Sequence, residues 1–359
     1  MTPLKDEQLR IRDIAKLANV STGTVDRVLH GRPGVKQETK EEILKILEEI
    51  NYIPNLMAKT LASKKTTRFV VLIPDSKDAN SYWTQPVLGI HQAVEEISNF
   101  RTVIDLYTFD DSLEESFAEM TEKIINEEPD GVIFCPVFHK ASQAFIKELK
   151  KLEIPFVFID TDLKNSSNIA YFGQDAFKSG YLAGKLMSYG LKGSGELLIL
   201  KQVNSLLISR HVENREKGFR EFFESHDVSK NYKIFDLDID LLDMTEPQKS
   251  LKTFFSRHKV EGIFVPNSRA FKLAQYMQKQ DIKDTLVIGY DLIPDNIKYL
   301  ESGIISFLIG QRPEEQAYKA IKSLFDYTVL NKEIKKLNYS PIDIITKENI
   351  GFYKEFRNE

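Results

Sequence analysis

The sequence predicts a multidomain protein: a small all-α unit at the N-terminus, followed by a larger α/β unit with two doubly wound parallel sheets. Three short helical patterns follow one another within residues 1–65, and from Phe69 onward short apolar runs alternate with helix-length amphipathic stretches. At 359 residues the chain is also too long for one ordinary hydrophobic core. These features together predict globular units of different class.

The composition is typical of a soluble globular protein, with 42% hydrophobic and 28% charged residues. No apolar run approaches the roughly 20 residues of a membrane-spanning helix. The first ten residues, MTPLKDEQLR, lead into no apolar segment of the secretory kind, so we expect the protein in the cytoplasm. Residues 1–65 carry 12 basic and 9 acidic side chains, while the whole chain has a net charge of −4. The small unit is therefore the one suited to approach a polyanion.

The sequence carries no pattern of a catalytic or metal-binding site. Its one cysteine, Cys135, lies in the apolar run GVIFCPV, where we expect a buried thiol. Six scattered histidines lack metal-ligand spacing, and we expect each to be solvated or hydrogen-bonded locally. The nucleophile motif G-x-S-x-G and the phosphate loop G-x-x-x-x-G-K-[ST] are both absent. We therefore predict that the protein is not an enzyme and uses neither a metal nor a cofactor.

The first helical patterns predict a helix, a tight turn and a second helix. IRDIAKLA places apolar side chains at i, i+3, i+4 and i+7, on one stripe. Asn19 tolerates the left-handed backbone of a tight turn, and Ser21 can cap the next helix. In that helix TVDRVL turns its aliphatic residues inward, and GRPG ends it. With a third pattern, KQETKEEILKILEEINYIP, this is the helix-turn-helix arrangement, whose second helix enters the major groove of DNA.

The residues of this region resemble the headpiece of the LacI/GalR family of bacterial transcription regulators. The similarity runs from Ile11 to Ala62 and includes D-I-A, V-S-x-x-T-V-x-R-V-L, the G-V after the loop and the N-Y-x-P-N junction. In that family the start of the second helix reads base edges, which implies DNA-binding roles for Ser21, Thr22, Gly23, Thr24 and Arg27. Arg27 is the main candidate, because its planar fork can bind guanine or phosphate bidentately. Gly23 lacks the side chain usual at its position, and Asp26 is unusually acidic.

The segment NLMAKTLAS, residues 55–63, is similar to the hinge helix of the same family. That helix orders on operator DNA and inserts a leucine into the minor groove. The resemblance implies that Asn55, Ala58 and Leu61 bind DNA, with Leu61 as the wedge and Ala58 allowing two hinges of a dimer to approach. The alternative is a plain linker in which Leu61 packs on its neighbour.

The larger unit shows ten strand-like apolar runs: FVVLIPD, TVIDLYTF, GVIFCPV, PFVFID, AYFG, GELLIL, YKIFDLDI, GIFVPN, TLVIGYD and ISFLIG. Continuous apolar runs between helices indicate parallel strands that are buried on both faces. Ligands of such sheets bind outside the carboxyl ends of the strands. Those ends and the segments that follow them carry carboxylates, amides, a guanidinium and aromatic rings: Asn80, Tyr82, Trp83, Asp160, Gln174, Arg215, Asn267, Asp291 and Gln311. The set suits a neutral polyhydroxylated ligand. For any one of them, above all Gln174 with Asp175, a helix cap or turn is the alternative.

Over residues 68–350 the chain resembles the ribose- and galactose-type periplasmic sugar-binding proteins, the fold that LacI/GalR regulators carry as a sensor. NSYWTQPVLGI matches N-P-F-F-x-x-x-x-x-G-I, which implies ligand-binding roles for Asn80, Tyr82 and Trp83. Further ligand positions of the family fall on Asp160, Arg215, Asn267, Asp291 and Gln311. Thr161 replaces the arginine that follows the aspartate in ribose binders.

The resemblance also implies the domain boundaries. A headpiece spans residues 1–54, a hinge helix and linker residues 55–67, and a two-lobed sensor residues 68–359. Lobe 1 would contain 68–172 and 312–340, and lobe 2 would contain 173–311 and 341–359. The C-terminus shows no heptad leucines for tetramer assembly, so a homodimer is the simplest state, and a two-fold dimer fits a pseudo-palindromic operator.

These features predict a transcription regulator of the LacI/GalR type whose affinity for double-stranded operator DNA is controlled by a small ligand, a sugar or sugar derivative. A nucleobase or nucleoside is the alternative ligand, because aromatic rings also stack on purines. A stand-alone sugar-binding protein is the alternative from another class; the basic headpiece and the missing signal peptide argue against it.

Overall fold

The computed structural model describes residues 11–29, 32–49, 66–76, 78–191, 193–203, 210–226, 232–240 and 246–355. The chain divides into two compact units, Met1–Ala62 and Ser63–Glu359. Within the described ranges, no helix combines the length and apolar character needed to cross a membrane.

The first unit contains three helices, α1 (Ile11–Leu17), α2 (Thr22–Leu29) and α3 (Gln37–Glu49). Ile14, Val25 and Ile43, one from each helix, are fully buried in a common core. Asn19 lies in the turn with a φ of 50°, and the Ser21 Oγ accepts a hydrogen bond from the Thr24 N–H at 3.1 Å. Both the left-handed turn and the N-cap predicted from the sequence are thereby confirmed.

The second unit contains two six-stranded sheets. The first has the strand order β11-β5-β4-β3-β1-β2 and the second the order β12-β10-β9-β8-β6-β7. All described strand pairs are parallel except β10 with β12, which is antiparallel. The strands are β1 (Thr67–Pro74), β2 (Thr102–Phe109), β3 (Gly131–Phe134), β4 (Phe156–Ile159), β5 (Ala170–Gly173), β6 (Gly195–Val203), β7 (Tyr232–Asp240), β8 (Val260–Phe264), β9 (Leu286–Tyr290), β10 (Phe307–Gly310), β11 (Leu337–Tyr339) and β12 (Asp343–Ile345).

Helices cover the sheets as the sequence predicts for a doubly wound fold. They are α4 (Thr84–Ile97), α5 (Glu114–Glu127), α6 (His139–Lys151), α7 (Ala176–Gly190), α8 (Arg210–Ser225), α9 (Glu246–Phe255), α10 (Ala270–Lys279), α11 (Pro294–Glu301), α12 (Pro313–Thr328) and α13 (Ile350–Glu355). Helices α7 and α8 pack closely, and a side chain at Gly180 would overlap the carbonyl of Arg215. This contact fixes the position of α8, which carries His211 and Arg215.

The chain passes between the two sheets after β5, after β10 and again between β11 and β12. The Gln174 amide ties these passages together, because its Nε2 donates to the carbonyls of Gly310 at 2.9 Å and Pro341 at 3.1 Å. The Arg312 guanidinium holds Asp343 with two bonds, of 2.7 and 3.0 Å. We refer to the part built on the first sheet as lobe 1 and to the part built on the second as lobe 2.

Two strands were not predicted. LNY in β11 and DII in β12 have three residues each, and neither forms an apolar run long enough to give a pattern. The antiparallel direction of β12 also departs from the predicted all-parallel sheets. Its register depends on partners at β10 that lie more than thirty residues earlier.

Candidate functional site

The predicted DNA-binding residues of the first unit lie on α2 and at its N-cap. Val25 and Val28 are buried, whereas Ser21, Thr22, Gly23 and Arg27 are exposed, and Thr24 is partly exposed. A Cβ added at Gly23 would meet only the Ser21 Oγ at 3.7 Å, so this position has room for a side chain. The predicted DNA-binding residues are therefore accessible at least in part, with Ser21 to Thr24 at the start of α2 and Arg27 in its last turn.

The acidic residue on this helix has a partner of its own. The Asp26 Oδ2 lies 3.3 Å from the Arg32 Nη1, and both side chains are largely exposed. This contact draws the negative charge of Asp26 toward the loop after α2. The other predicted DNA-binding residues, Asn55, Ala58 and Leu61, lie outside the described residues.

In the second unit two aspartates occupy equivalent positions. Asp160 follows β4 and Asp291 follows β9, with φ values of 63° and 71°. Each donates its N–H to the neighbouring strand, to the carbonyls of Phe172 at 2.9 Å and Ile309 at 3.0 Å. Non-glycine residues in the left-handed region are strained and cluster at functional sites. The two lobes thus present one strained aspartate each at the carboxyl end of a sheet.

Asp291 belongs to a buried hydrogen-bond network. Its Oδ1 accepts from the Gln311 Nε2 at 2.7 Å, and the Gln311 Oε1 accepts from an Arg215 Nη at 2.5 Å. The other Arg215 Nη donates to the Pro266 carbonyl at 2.9 Å, while its Nε has no hydrogen-bond partner among the described residues. Arg215 is only 2% exposed and its guanidinium stacks on the Tyr290 ring, 3.8 Å from the centroid. An orphaned donor on a buried cation is costly, and a ligand oxygen would satisfy it.

Tyr82 lies close to both strained aspartates. Burial raises the pKa of Tyr82 well above its ordinary value, and the charges of Asp160 and Asp291 raise it further. The phenol therefore stays protonated and can donate. Trp83 stands edge-on to it, with ring centroids 5.1 Å apart and an interplanar angle of 87°. These rings provide the apolar component of the site in lobe 1.

Asn80 contacts the other lobe directly. Its Oδ1 accepts from the Asp295 N–H at 2.9 Å, and its Nδ2 donates to the Asp295 Oδ2 at 3.0 Å. Asp295 is the second residue of α11, and Ile293, which precedes this helix, offers no side-chain cap. Asn80, a residue of lobe 1, thus accepts a hydrogen bond from the N-terminus of a helix in lobe 2. In most helices this capping role belongs to the residue that directly precedes the helix. A further bond runs from the Gln85 Nε2 to the Leu292 carbonyl at 3.2 Å.

A histidine that the sequence did not single out also joins the lobes. The His211 Nδ1 lies 2.9 Å from the Thr161 Oγ1, and Arg210 approaches Asp162 with 3.7 Å between the Nη1 and the Oδ1. The expectation of a solvated or locally bonded histidine was wrong here, because the partner of His211 is fifty residues away. One signal was available: His211 precedes Arg215 by one helical turn, so the two share a face of α8.

The structure brings Tyr82, Asp160, Arg215, Asp291 and Gln311 into one network of contacts and charges between the lobes. Asn267 adjoins it through Pro266, and its Oδ1 accepts from the Arg269 N–H at 3.1 Å. Gln174 instead joins the chain passages, although its buried Oε1 has no partner among the described residues. Asp175, the helix cap considered as the alternative, accepts from the Lys178 N–H at 3.0 Å at the start of α7.

The single cysteine lies beneath this network. Cys135 is fully buried, as the sequence predicted, and its Sγ is 3.8 Å from the Asp160 Oδ2. Burial raises the pKa of the thiol well above its ordinary value, and the nearby Asp160 carboxylate adds to this. Cys135 therefore remains a neutral thiol. Among the described residues no group of three or more histidine, cysteine, aspartate or glutamate side chains could hold a metal ion.

Two known families match the chain, one on each side of the boundary between its two compact units. Residues 69–333 match the periplasmic binding protein domain, and residues 10–55 match the bacterial regulatory proteins of the lacI family.

The chain is also similar to individual proteins of known name. The chain is 28% identical to the ribose operon repressor of Halalkalibacterium halodurans, over 79% of this chain and 80% of that protein. It is 33% identical to catabolite control protein A of Priestia megaterium, over 41% of this chain and 42% of that protein. A crystal structure of a proposed LacI transcriptional regulator from Bacteroides fragilis is similar with a TM-score of 0.77 and 33% identity, over 80% of this chain and 100% of that one.

Proposed function

Because the chain belongs to the lacI family of bacterial regulatory proteins and carries a periplasmic binding protein domain, we propose that it is a DNA-binding transcription regulator whose operator affinity is controlled by a sugar or sugar derivative bound between its lobes. The observation that carries the proposal is that an exposed helix with polar and basic side chains occurs together with a site between the lobes where carboxylate, amide and guanidinium groups converge.

The DNA-binding part rests on α2. Its first turn presents small polar side chains and its last turn presents Arg27, without bulky apolar groups on that face. A helix of this kind fits the major groove, where an arginine fork binds guanine or a phosphate. A dimer would place two such helices on two half-sites, and residues 55–67, by their resemblance to a hinge helix, would link each recognition helix to its sensor.

The effector part rests on the network around Asp291. Carboxylate and amide oxygens accept from vicinal hydroxyls, the orphaned Arg215 Nε donates, and the rings of Tyr82 and Trp83 cover C–H faces. The relative named as a ribose operon repressor supports a carbohydrate. Ligand binding would favour the state in which the lobes contact one another, and operator DNA must change ligand affinity by the same factor that the ligand changes DNA affinity.

A two-stage experiment tests this function. A thermal-shift screen of the full chain against pentoses, hexoses, sugar acids, their phosphates and nucleosides identifies the effector, because a ligand specific to the folded state raises the Tm. Operator affinity is then measured by fluorescence anisotropy with and without saturating effector. A change of about 5- to 150-fold is expected from typical couplings.

The control is Asp291→Ala, which breaks the Gln311 bond and removes a charge of the cleft. We expect it to keep operator binding and lose the effector response. Identical operator affinity of the native protein with and without its effector would refute the regulatory role, and an intact response in Asp291→Ala would refute the cleft assignment. Binding of a nucleoside alone would replace the sugar with the alternative effector.

A further inference from the structure

Thr161 and His211 form a short chain of hydrogen bonds with a defined direction. The Thr161 Oγ1 donates to the Asp160 Oδ2 at 3.2 Å, because an ionised carboxylate can only accept. Since a hydroxyl has a single proton, the Thr161 Oγ1 must accept in its 2.9 Å contact with the His211 Nδ1. His211 is therefore the tautomer that carries its proton on Nδ1, and its Nε2 is an acceptor.

The environment keeps this imidazole uncharged. Burial lowers the pKa of His211 to about 4; the nearby Arg215 charge acts in the same direction, and Asp160 opposes both. At neutral pH the ring adds no charge to the cleft. Within the described residues the Nε2 makes no hydrogen bond.

The other charged groups of the site are mainly carboxylates, which accept hydrogen bonds. Asp160 and Asp291 are anionic, and Arg215 is the cation bonded within their network. Each of its two Nη groups already donates one hydrogen bond, to Gln311 and to Pro266, and its Nε has no partner among the described residues. The flanking cations face carboxylates of lobe 1, Arg210 with Asp162 at 3.7 Å and Arg269 within electrostatic range of Asp111. An anionic ligand would thus meet two carboxylates and a neutral histidine with little cationic compensation.

From this arrangement we infer that the effector is an uncharged, hydroxyl-rich molecule, and that His211 determines this specificity by accepting a hydroxyl proton at its Nε2 while Thr161 fixes its tautomer. The inference rests on the proposed sugar-binding function and narrows it: carboxylate and phosphate derivatives of the same sugars are rejected. These derivatives are rejected because their negative charge would lie against protein groups that accept hydrogen bonds and cannot donate one to it.

The tautomer can be tested without any ligand. In the full chain with ¹⁵N-labelled histidine, we expect His211 to show a protonated Nδ1 and an unprotonated Nε2 from pH 8 to pH 6. His211→Gln assigns the signal. A protonated Nε2 at neutral pH would overturn the inference, as would a His211 ring that carries protons on both nitrogens within this pH range.

The specificity is tested with matched probes on the same protein: glucose, galactose and ribose against glucuronate, galacturonate, glucose 6-phosphate and ribose 5-phosphate. We expect an uncharged sugar to bind at least about tenfold more tightly than its charged derivatives by calorimetry. We expect His211→Gln to weaken the binding of that sugar and His139→Gln to leave its affinity unchanged. We expect Thr161→Arg to shift the binding preference toward the charged derivatives. Equal or tighter binding of an acid or phosphate by the native protein overturns this inference alone. Stabilisation by nucleosides and by none of these probes overturns the sugar effector as well.

Discussion

Removing the Asn80 side chain should release the two lobes from one another. In Asn80→Ala both bonds to Asp295 are lost, and the N-terminus of α11 loses its cap. A cap contributes about 0.5–2 kcal/mol, and a hydrogen bond to a charged group contributes about 1.5–3 kcal/mol. Asn80 and Asp295 are partly exposed. When the lobes separate, hydrogen bonds to water therefore replace part of the free energy of the cap and of the charged hydrogen bond. We therefore expect a net shift of about 2 kcal/mol, or roughly 30-fold in the equilibrium between contacting and separated lobes.

Fluorescence energy transfer between the lobes measures this equilibrium. Lys147 on α6 and Lys279 on α10 are exposed positions for cysteine substitution, and the native Cys135 is buried and should not label. Labelled protein diluted into an excess of unlabelled protein removes transfer between protomers. We expect lower transfer efficiency in Asn80→Ala without ligand, together with weaker effector binding in proportion to the lost population.

Two variants sharpen the comparison. Asp295→Asn keeps both bonds in neutral form and should fall between the native protein and Asn80→Ala. Asn99→Ala, an exposed asparagine of lobe 1, should behave as the native protein does. Unchanged transfer in Asn80→Ala would refute the idea that this pair holds the lobes together.

Three further outcomes are expected. Arg27→Ala should weaken specific operator binding by about 1–3 kcal/mol in fluorescence anisotropy; an equal loss on unrelated DNA would identify a phosphate contact instead of base readout. As the pH falls from 6.5 toward 4, the unfolded chain protonates His211 before the folded one does, so up to about 3 kcal/mol of stability should be lost. Chemical denaturation should show this loss in the native protein and less of it in His211→Gln, and parallel curves would contradict it. Gly180→Ala should push α8 away from α7 and cost about 1–3 kcal/mol in Tm measurements, whereas Gly351→Ala, with open space at its Cβ, should cost far less.

The features that were predictable from the sequence depend on neighbours along the chain. The Asn19 turn and the Ser21 cap follow from residue chemistry within four positions, and both occur as predicted. The long buried strands carry their own apolar pattern, whereas the three-residue β11 and β12 do not. The strands β11 and β12 form only because β5 and β10 offer open edges with which they pair.

The candidate site divides in the same way. Strand ends in an α/β sheet mark where a ligand binds, and this rule predicts roles for Asp160, Asp291 and Gln311, of which Gln311 is hydrogen-bonded to Asp291. Asn80 was predicted to bind ligand, but its hydrogen bonds go to Asp295, 215 residues away. His211 was missed because its significance comes from Thr161, a partner on the other lobe.

The sequence by itself determined the family, the helix-turn-helix unit, the buried strands and the residue types at their carboxyl ends, because each depends on local chemistry and period. The tertiary structure alone decided which of those residues bond to one another, which atom of His211 is left to accept, and which contacts join the lobes. Hydrogen bonds of this kind depend on distances between segments that only folding brings together, and on burial that changes the charge of a side chain once it is there.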